Sequence, residues 1–114
     1  MASTVIYHNP KCSTSRKTLE LLRDKGIEPE VVQYLKTPPS RDELAGMISA
    51  AGIDVRAAVR KREALYAELE LADASDDQPL DAMAEHPILI ERPFVVTPKG
   101  TRLARPVDTV REIL

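Results

Sequence analysis

Val5-Ile6-Tyr7-His8-Asn9-Pro10-Lys11-Cys12-Ser13-Thr14-Ser15-Arg16 is an apolar run that stops at a proline-bearing loop and reopens in residues suited to a helix start. Thr4–Tyr7 reads as a short buried strand, and Ser15–Lys25 carries Leu19 and Leu22 at helical spacing until Gly26 closes the element. Cys12, the only cysteine of the chain, falls at the junction. A thiol at the mouth of a helix meets backbone N–H groups with no intrahelical partner and the positive end of the macrodipole, and both favour thiolate over thiol. A lone cysteine elsewhere would read as a small inert hydrophobe. Here the strand-to-helix loop marks it as a nucleophile.

Outward from this stretch, Glu30–Leu35 reads as a second strand. Two strands separated by a helix of this length form a βαβ unit, whose strands pair in parallel. Lys36-Thr37-Pro38-Pro39 is a stiff connector, and Ser40 with Glu43 matches a helix capping box. Leu44, Met47, Ile48 and Ala51 then recur on one helical face, with Gly52 as a stop. Asp54 is placed to cap another helix bearing Val55, Ala58 and Val59. Leu65, Leu69, Leu71, Leu80 and Met83 continue the helical pattern to His86-Pro87, with Asp73–Pro79 as the expected loop. The last third returns to β structure: Phe94-Val95-Val96, a turn at Thr97-Pro98-Lys99-Gly100, and a returning strand over Thr101–Ala104. Val107, Val110 and Ile113, at three-residue spacing, predict a closing helix. The order is βαβ, a helical block, then ββα.

The chain has 114 residues, 43% of them hydrophobic and 30% charged, which suits one compact globular domain spanning 1–114. No stretch is long and apolar enough to span a bilayer, and no secretory signal pattern opens the chain. A single thiol cannot form an internal disulfide and fits a reducing compartment, so a cytoplasmic location is expected. The net charge of -2 argues against a general nucleic-acid binder. Arg56, Arg60, Lys61 and Arg62 crowd together ahead of an acidic stretch from Glu63 to Glu85 that contains no Lys or Arg, and the acidic block reads as a solvated helix face. Cys12, His8 and His86 offer no spaced set of metal ligands, so no metal site is expected.

The order of elements is that of an α/β, thioredoxin-like fold with a helical insertion between its βαβ and ββα halves. Within it, Tyr7 to Arg16 resembles the active-site loop of the glutaredoxin-dependent arsenate reductase family. Tyr34-Leu35-Lys36-Thr37-Pro38-Pro39, the stretch around Arg56 to Arg60, and His86-Pro87-Ile88-Leu89-Ile90-Glu91-Arg92-Pro93 followed by Val95-Val96-Thr97-Pro98 are similar to that family in order and spacing. The resemblance covers essentially the whole chain.

The resemblance implies that Cys12 attacks the arsenic of arsenate to form a thiol-arsenate adduct. Glutathione then serves as reducing co-substrate and a separate glutaredoxin completes the cycle, with no bound cofactor. It implies that His8 adds positive charge near the sulfur or bonds to it, and that Ser15 helps hold the thiolate. For Ser15 the residue pattern also admits a plain helix N-cap. It assigns Arg60, Arg92 and Arg105 to the oxyanion, a task for which planar, permanently charged guanidinium groups are suited. Pro93 is expected to follow a cis bond, and Arg16 to complete the motif on the helix face. Two other readings share the fold. One is a thiol enzyme of the same type acting on another oxyanion or on a glutathione mixed disulfide. The other is a redox-linked transcriptional regulator that binds RNA polymerase, a branch that carries Cys-x-x-Cys where this chain has Ser15.

Overall fold

The computed structural model describes residues 4–73, 75 and 77–114. Contacts group the chain into two compact units, Met1–Thr37 with Arg92–Leu114, and Pro38–Glu91.

The first unit holds the sheet. Strand β1 (Val5–Tyr7) leads through helix α1 (Ser13–Asp24) to β2 (Glu30–Val32), and β3 (Phe94–Thr97) turns back into β4 (Gly100–Leu103). The sheet order is β2-β1-β3-β4, with β1 and β2 parallel and the β1/β3 and β3/β4 pairs antiparallel. Ile6 on β1 aligns with Val31 on one side and Val95 on the other. Ile6, Leu22, Val95, Ala104, Val110 and Ile113 form the buried cluster, so α1 and the closing segment pack through their apolar stripes on the sheet. Gly26 ends α1 at φ 77, with its N–H bonded to Arg23 O at 2.9 Å and that of Ile27 to Leu22 O at 2.9 Å. These are the two bonds of a Schellman motif, and the left-handed residue they need is the reason glycine stands there.

Two elements of this unit differ from expectation. Strand β2 stops at Val32, three residues short of Leu35, because the Gln33 carbonyl is taken by the N–H groups of Lys36 and Thr37 at 2.9 and 3.0 Å, which closes a turn. The closing segment Val107–Ile113 is a 3₁₀ helix. Its three-residue spacing is that helix's own period, and Thr97 Oγ1 donates to Ile113 O at 2.7 Å to tie its end to β3.

The second unit is helical: α2 (Arg41–Ala50), α3 (Val55–Ala58), α4 (Ala64–Glu68) and α5 (Asp77–Glu85). Helix α2 packs on α5 and α3, with Leu44, Met47, Ile48, Ala58, Leu80 and Met83 buried. The capping box is complete: Ser40 Oγ accepts from Glu43 N and Glu43 Oε1 accepts from Ser40 N, both at 3.1 Å. Asp54 occupies an N-cap position but makes no side-chain capping bond. The backbone carbonyl of Asp54 serves instead, accepting from Ala57 N at 2.9 Å. The expected loop Asp73–Pro79 lies partly outside the described residues, and α5 already starts at Asp77. Proline is tolerated there because Pro79 falls in the first helical turn, where a backbone N–H would have no intrahelical acceptor and its absence costs no bond.

Candidate active site

The loop between β1 and α1 is held by its own polar groups. Asn9 is buried, with its carbonyl accepting from Cys12 N at 3.0 Å and its Oδ1 accepting from Lys11 N at 2.9 Å. Cys12 thereby becomes the N-cap residue of α1, with extended backbone (φ -93, ψ 122), and its side chain stands where the first free N–H groups of the helix point. Burial pushes the Cys12 thiol up. That is outweighed by the Ser15 backbone N–H, by a hydrogen bond and the charge of the Arg92 guanidinium, and by the Thr14 backbone N–H, so the pKa lies below the usual thiol value.

Ser15 is the third residue of α1 and not its N-cap, and it is fully buried. Its Oγ lies 2.7 Å from His8 Nδ1 and accepts from Asn9 N at 3.1 Å. The backbone N–H of Ser15, not its hydroxyl, serves the thiol. His8 is itself buried, and burial first, then the charges of Arg23 and Arg16, lower its pKa below 6.5. The environment therefore works against the positive charge expected of the ring, which lies in a buried hydrogen bond with Ser15. Arg16 NH1 donates to Pro10 O at 2.9 Å and helps close the loop from its far side. Asn9 is the residue sequence reasoning passed over. Its signal was an Asn two residues ahead of the loop's Lys11 N–H, the spacing of an Asx turn.

The Arg92–Pro93 bond is cis, and so is Arg105–Pro106. Arg92 is buried at 8% exposure, with no hydrogen-bond partner for Nε or NH1. Buried N–H donors are nearly always paired, so two open donors on one guanidinium beside a thiol are what an incoming oxyanion would satisfy. Arg105 NH1 donates to the Arg92 carbonyl at 3.1 Å, which buttresses the backbone that carries Arg92. Cys12, His8, Ser15, Arg92 and Arg105 all belong to the sheet unit. Arg60 belongs to the helical unit, where it pairs with Glu91 Oε1 at 2.7 Å and reaches Glu63 Oε1 at 3.4 Å. Among the described residues no cluster of three or more His, Cys, Asp or Glu could hold a metal ion. Nor is any helix long and apolar enough to cross a membrane.

Fold and loop together define a thioredoxin-like protein with one thiol of lowered pKa beside a buried arginine. The comparisons then narrow the class. The ArsC family model matches residues 7–113, and the chain belongs to that family. It is 60% identical over 114 residues to an arsenate reductase of Rhizobium meliloti, covering 98% of this chain and 81% of that one. It is 57% identical to an arsenate reductase of Escherichia coli, covering 100% and 82%. Among solved structures, an arsenate reductase from Vibrio cholerae superposes with a TM-score of 0.94 at 53% identity, covering 99% of this chain and 98% of that one.

Proposed function

We propose that this protein reduces arsenate to arsenite, with Cys12 as nucleophile and with glutathione and glutaredoxin as the sources of electrons. The observation that carries the proposal is the pairing of a thiol of lowered pKa with a buried arginine that has two open N–H donors. Its relatives, arsenate reductases, point the same way. In the first step the thiolate attacks arsenic and an oxygen leaves as water, which gives a covalent thiol-arsenate adduct. The Arg92 guanidinium, with Nε and NH1 unpaired, suits a tetrahedral anion, and Arg105 is assigned to the same anion on the strength of the family resemblance. Glutathione then attacks the adduct, and glutaredoxin reduces the mixed species and releases arsenite. Over the cycle arsenic gains the two electrons that thiol sulfurs lose in forming a disulfide. With no second cysteine in the chain, the second thiol must come from outside. Such a cycle belongs in a reducing compartment, which fits the cytoplasm.

Arsenate-dependent NADPH consumption, coupled through glutathione, glutaredoxin and glutathione reductase, tests this directly. Wild-type protein should turn over and Cys12→Ser should not. A wild-type protein with Cys12 free and reduced but no arsenate-dependent turnover would defeat arsenate as the substrate and favour thiol transfer on a glutathione mixed disulfide.

A further inference from the structure

A cavity opens beside the loop between β1 and α1, at the end of β2. It has a volume of about 210 Å³ and is walled by Asn9, Pro10 and Lys11 of the loop and by Gln33, Leu35 and Lys36 of the turn that follows β2. All of these residues belong to the sheet unit, so the cavity is internal to it. Among the described residues neither the Lys11 nor the Lys36 ammonium has an ion pair or side-chain hydrogen bond, whereas most other basic side chains of the unit do. Leu35 is a large apolar side chain left 42% exposed in the same wall. Strand β2 is an outer strand of the sheet, so among the described residues one of its edges carries no neighbouring strand.

We infer that this cavity is the docking site for the external thiol, and that its occupant is glutathione. The inference rests on the proposed thiol cycle and adds the site at which that cycle takes up its co-substrate. Glutathione is an extended peptide whose two carboxylates give it a net negative charge at neutral pH. It needs cations for its ends, a polar group for its amides, and a path to the sulfur. Lys11 and Lys36 supply the cations, Gln33 the amide partner, and Leu35 an apolar rest for the peptide stem. Lys11 is the residue immediately before Cys12, so the cavity flanks the loop segment that leads into the reacting residue. An open cation pair also raises the local concentration of an anionic thiol.

The test leaves arsenate out. The Cys12 thiolate attacks one sulfur of glutathione disulfide, the S–S bond breaks, a Cys12–glutathione disulfide forms and one glutathione thiolate leaves. The rate is measured for the wild type and the double variant Lys11→Ala, Lys36→Ala, with three disulfides: glutathione disulfide (anionic), bis(2-hydroxyethyl) disulfide (neutral) and cystamine (cationic). Two exposed charge contacts together imply a loss of about tenfold for glutathione disulfide at low salt. The neutral reagent should change less than twofold, and cystamine should react faster. Arginine at both positions should restore the preference, and added salt should erase it in the wild type. An equal slowing of the anionic and neutral reagents would mean that the lysines act only on the thiol, and would overturn the site. An unchanged rate for glutathione disulfide would overturn it as well. Neither result depends on whether arsenate is a substrate, so failure of this site and failure of the arsenate reading can be told apart.

Discussion

Replacing Arg92 with Met separates what this residue does for the fold from what it does for the substrate. The side chain is 8% exposed and leaves Nε and NH1 unpaired. Two charge-assisted hydrogen bonds to an oxyanion are together worth roughly 3–6 kcal/mol, and a partly open site brings this to the low end, about 3 kcal/mol. That corresponds to a fall of about a hundredfold in kcat/KM for arsenate. Stability should move little, because the substitution also removes two buried donors that each cost about 1–3 kcal/mol while unpaired. A urea midpoint close to that of the wild type, or above it, is expected. The titration of Cys12, followed by thiolate absorbance, should move to higher pH, since the Arg92 hydrogen bond and charge are among the causes that lower it. Arg92→Lys keeps the charge but not the fork, so it should retain more of the low thiol pKa than of the activity. The reasoning is refuted if Arg92→Met unfolds at a much lower urea midpoint while kcat/KM stays near wild type, for the guanidinium would then be a structural group.

Ser15→Ala removes the partner of His8 Nδ1 and of Asn9 N, both buried, and should cost about 1–3 kcal/mol in urea unfolding. It should nonetheless leave the iodoacetamide alkylation rate of Cys12 within about threefold, because the Ser15 backbone N–H remains. His8 has a pKa lowered below 6.5 by burial, so below pH 6.5 the unfolded chain takes up a proton that the folded chain resists, and stability falls until the folded pKa is reached. His8→Asn should flatten that acid-side loss in unfolding curves taken from pH 7 to pH 5. The Cys12 pKa is lowered from 9.0, so its contribution to stability is complete above pH 9.0 and disappears as pH falls through the folded value. The difference in stability between wild type and Cys12→Ser should therefore grow as pH rises toward 9.0.

Much of the fold was legible because its determinants are local. The Ser40–Glu43 capping box, the Gly26 and Gly52 stops and the period-three run of Val107, Val110 and Ile113 each reflect a backbone requirement met within a few residues. The position of Cys12 was legible for the same reason, since a helix mouth is a local feature. Less legible was anything set by a distant group. The end of β2 depends on which N–H groups take the Gln33 carbonyl, and nothing in a run of apolar residues states that. The open donors of Arg92 arise from its burial in the folded sheet unit, far in sequence from the loop it adjoins. Ser15 shows the limit most clearly: the residue pattern admitted a helix N-cap and the family resemblance implied a hold on the thiolate, but neither could state that the backbone N–H faces the thiol while the hydroxyl is taken by His8 and Asn9.

That exchange of roles has a consequence for how the site can vary. Within the loop the thiolate leans on main-chain donors, which no substitution short of proline removes, so loop side chains act on reactivity mainly by holding those donors in place. Asn9, Ser15 and His8 form this scaffold, and changes there should appear first as lost stability or altered loop geometry. Arg92 is the exception, because it touches the sulfur through its side chain and keeps donors in reserve. On the proposed reading, a change at Arg92 would alter which anion the site accepts while the main-chain donors keep the thiol pKa low.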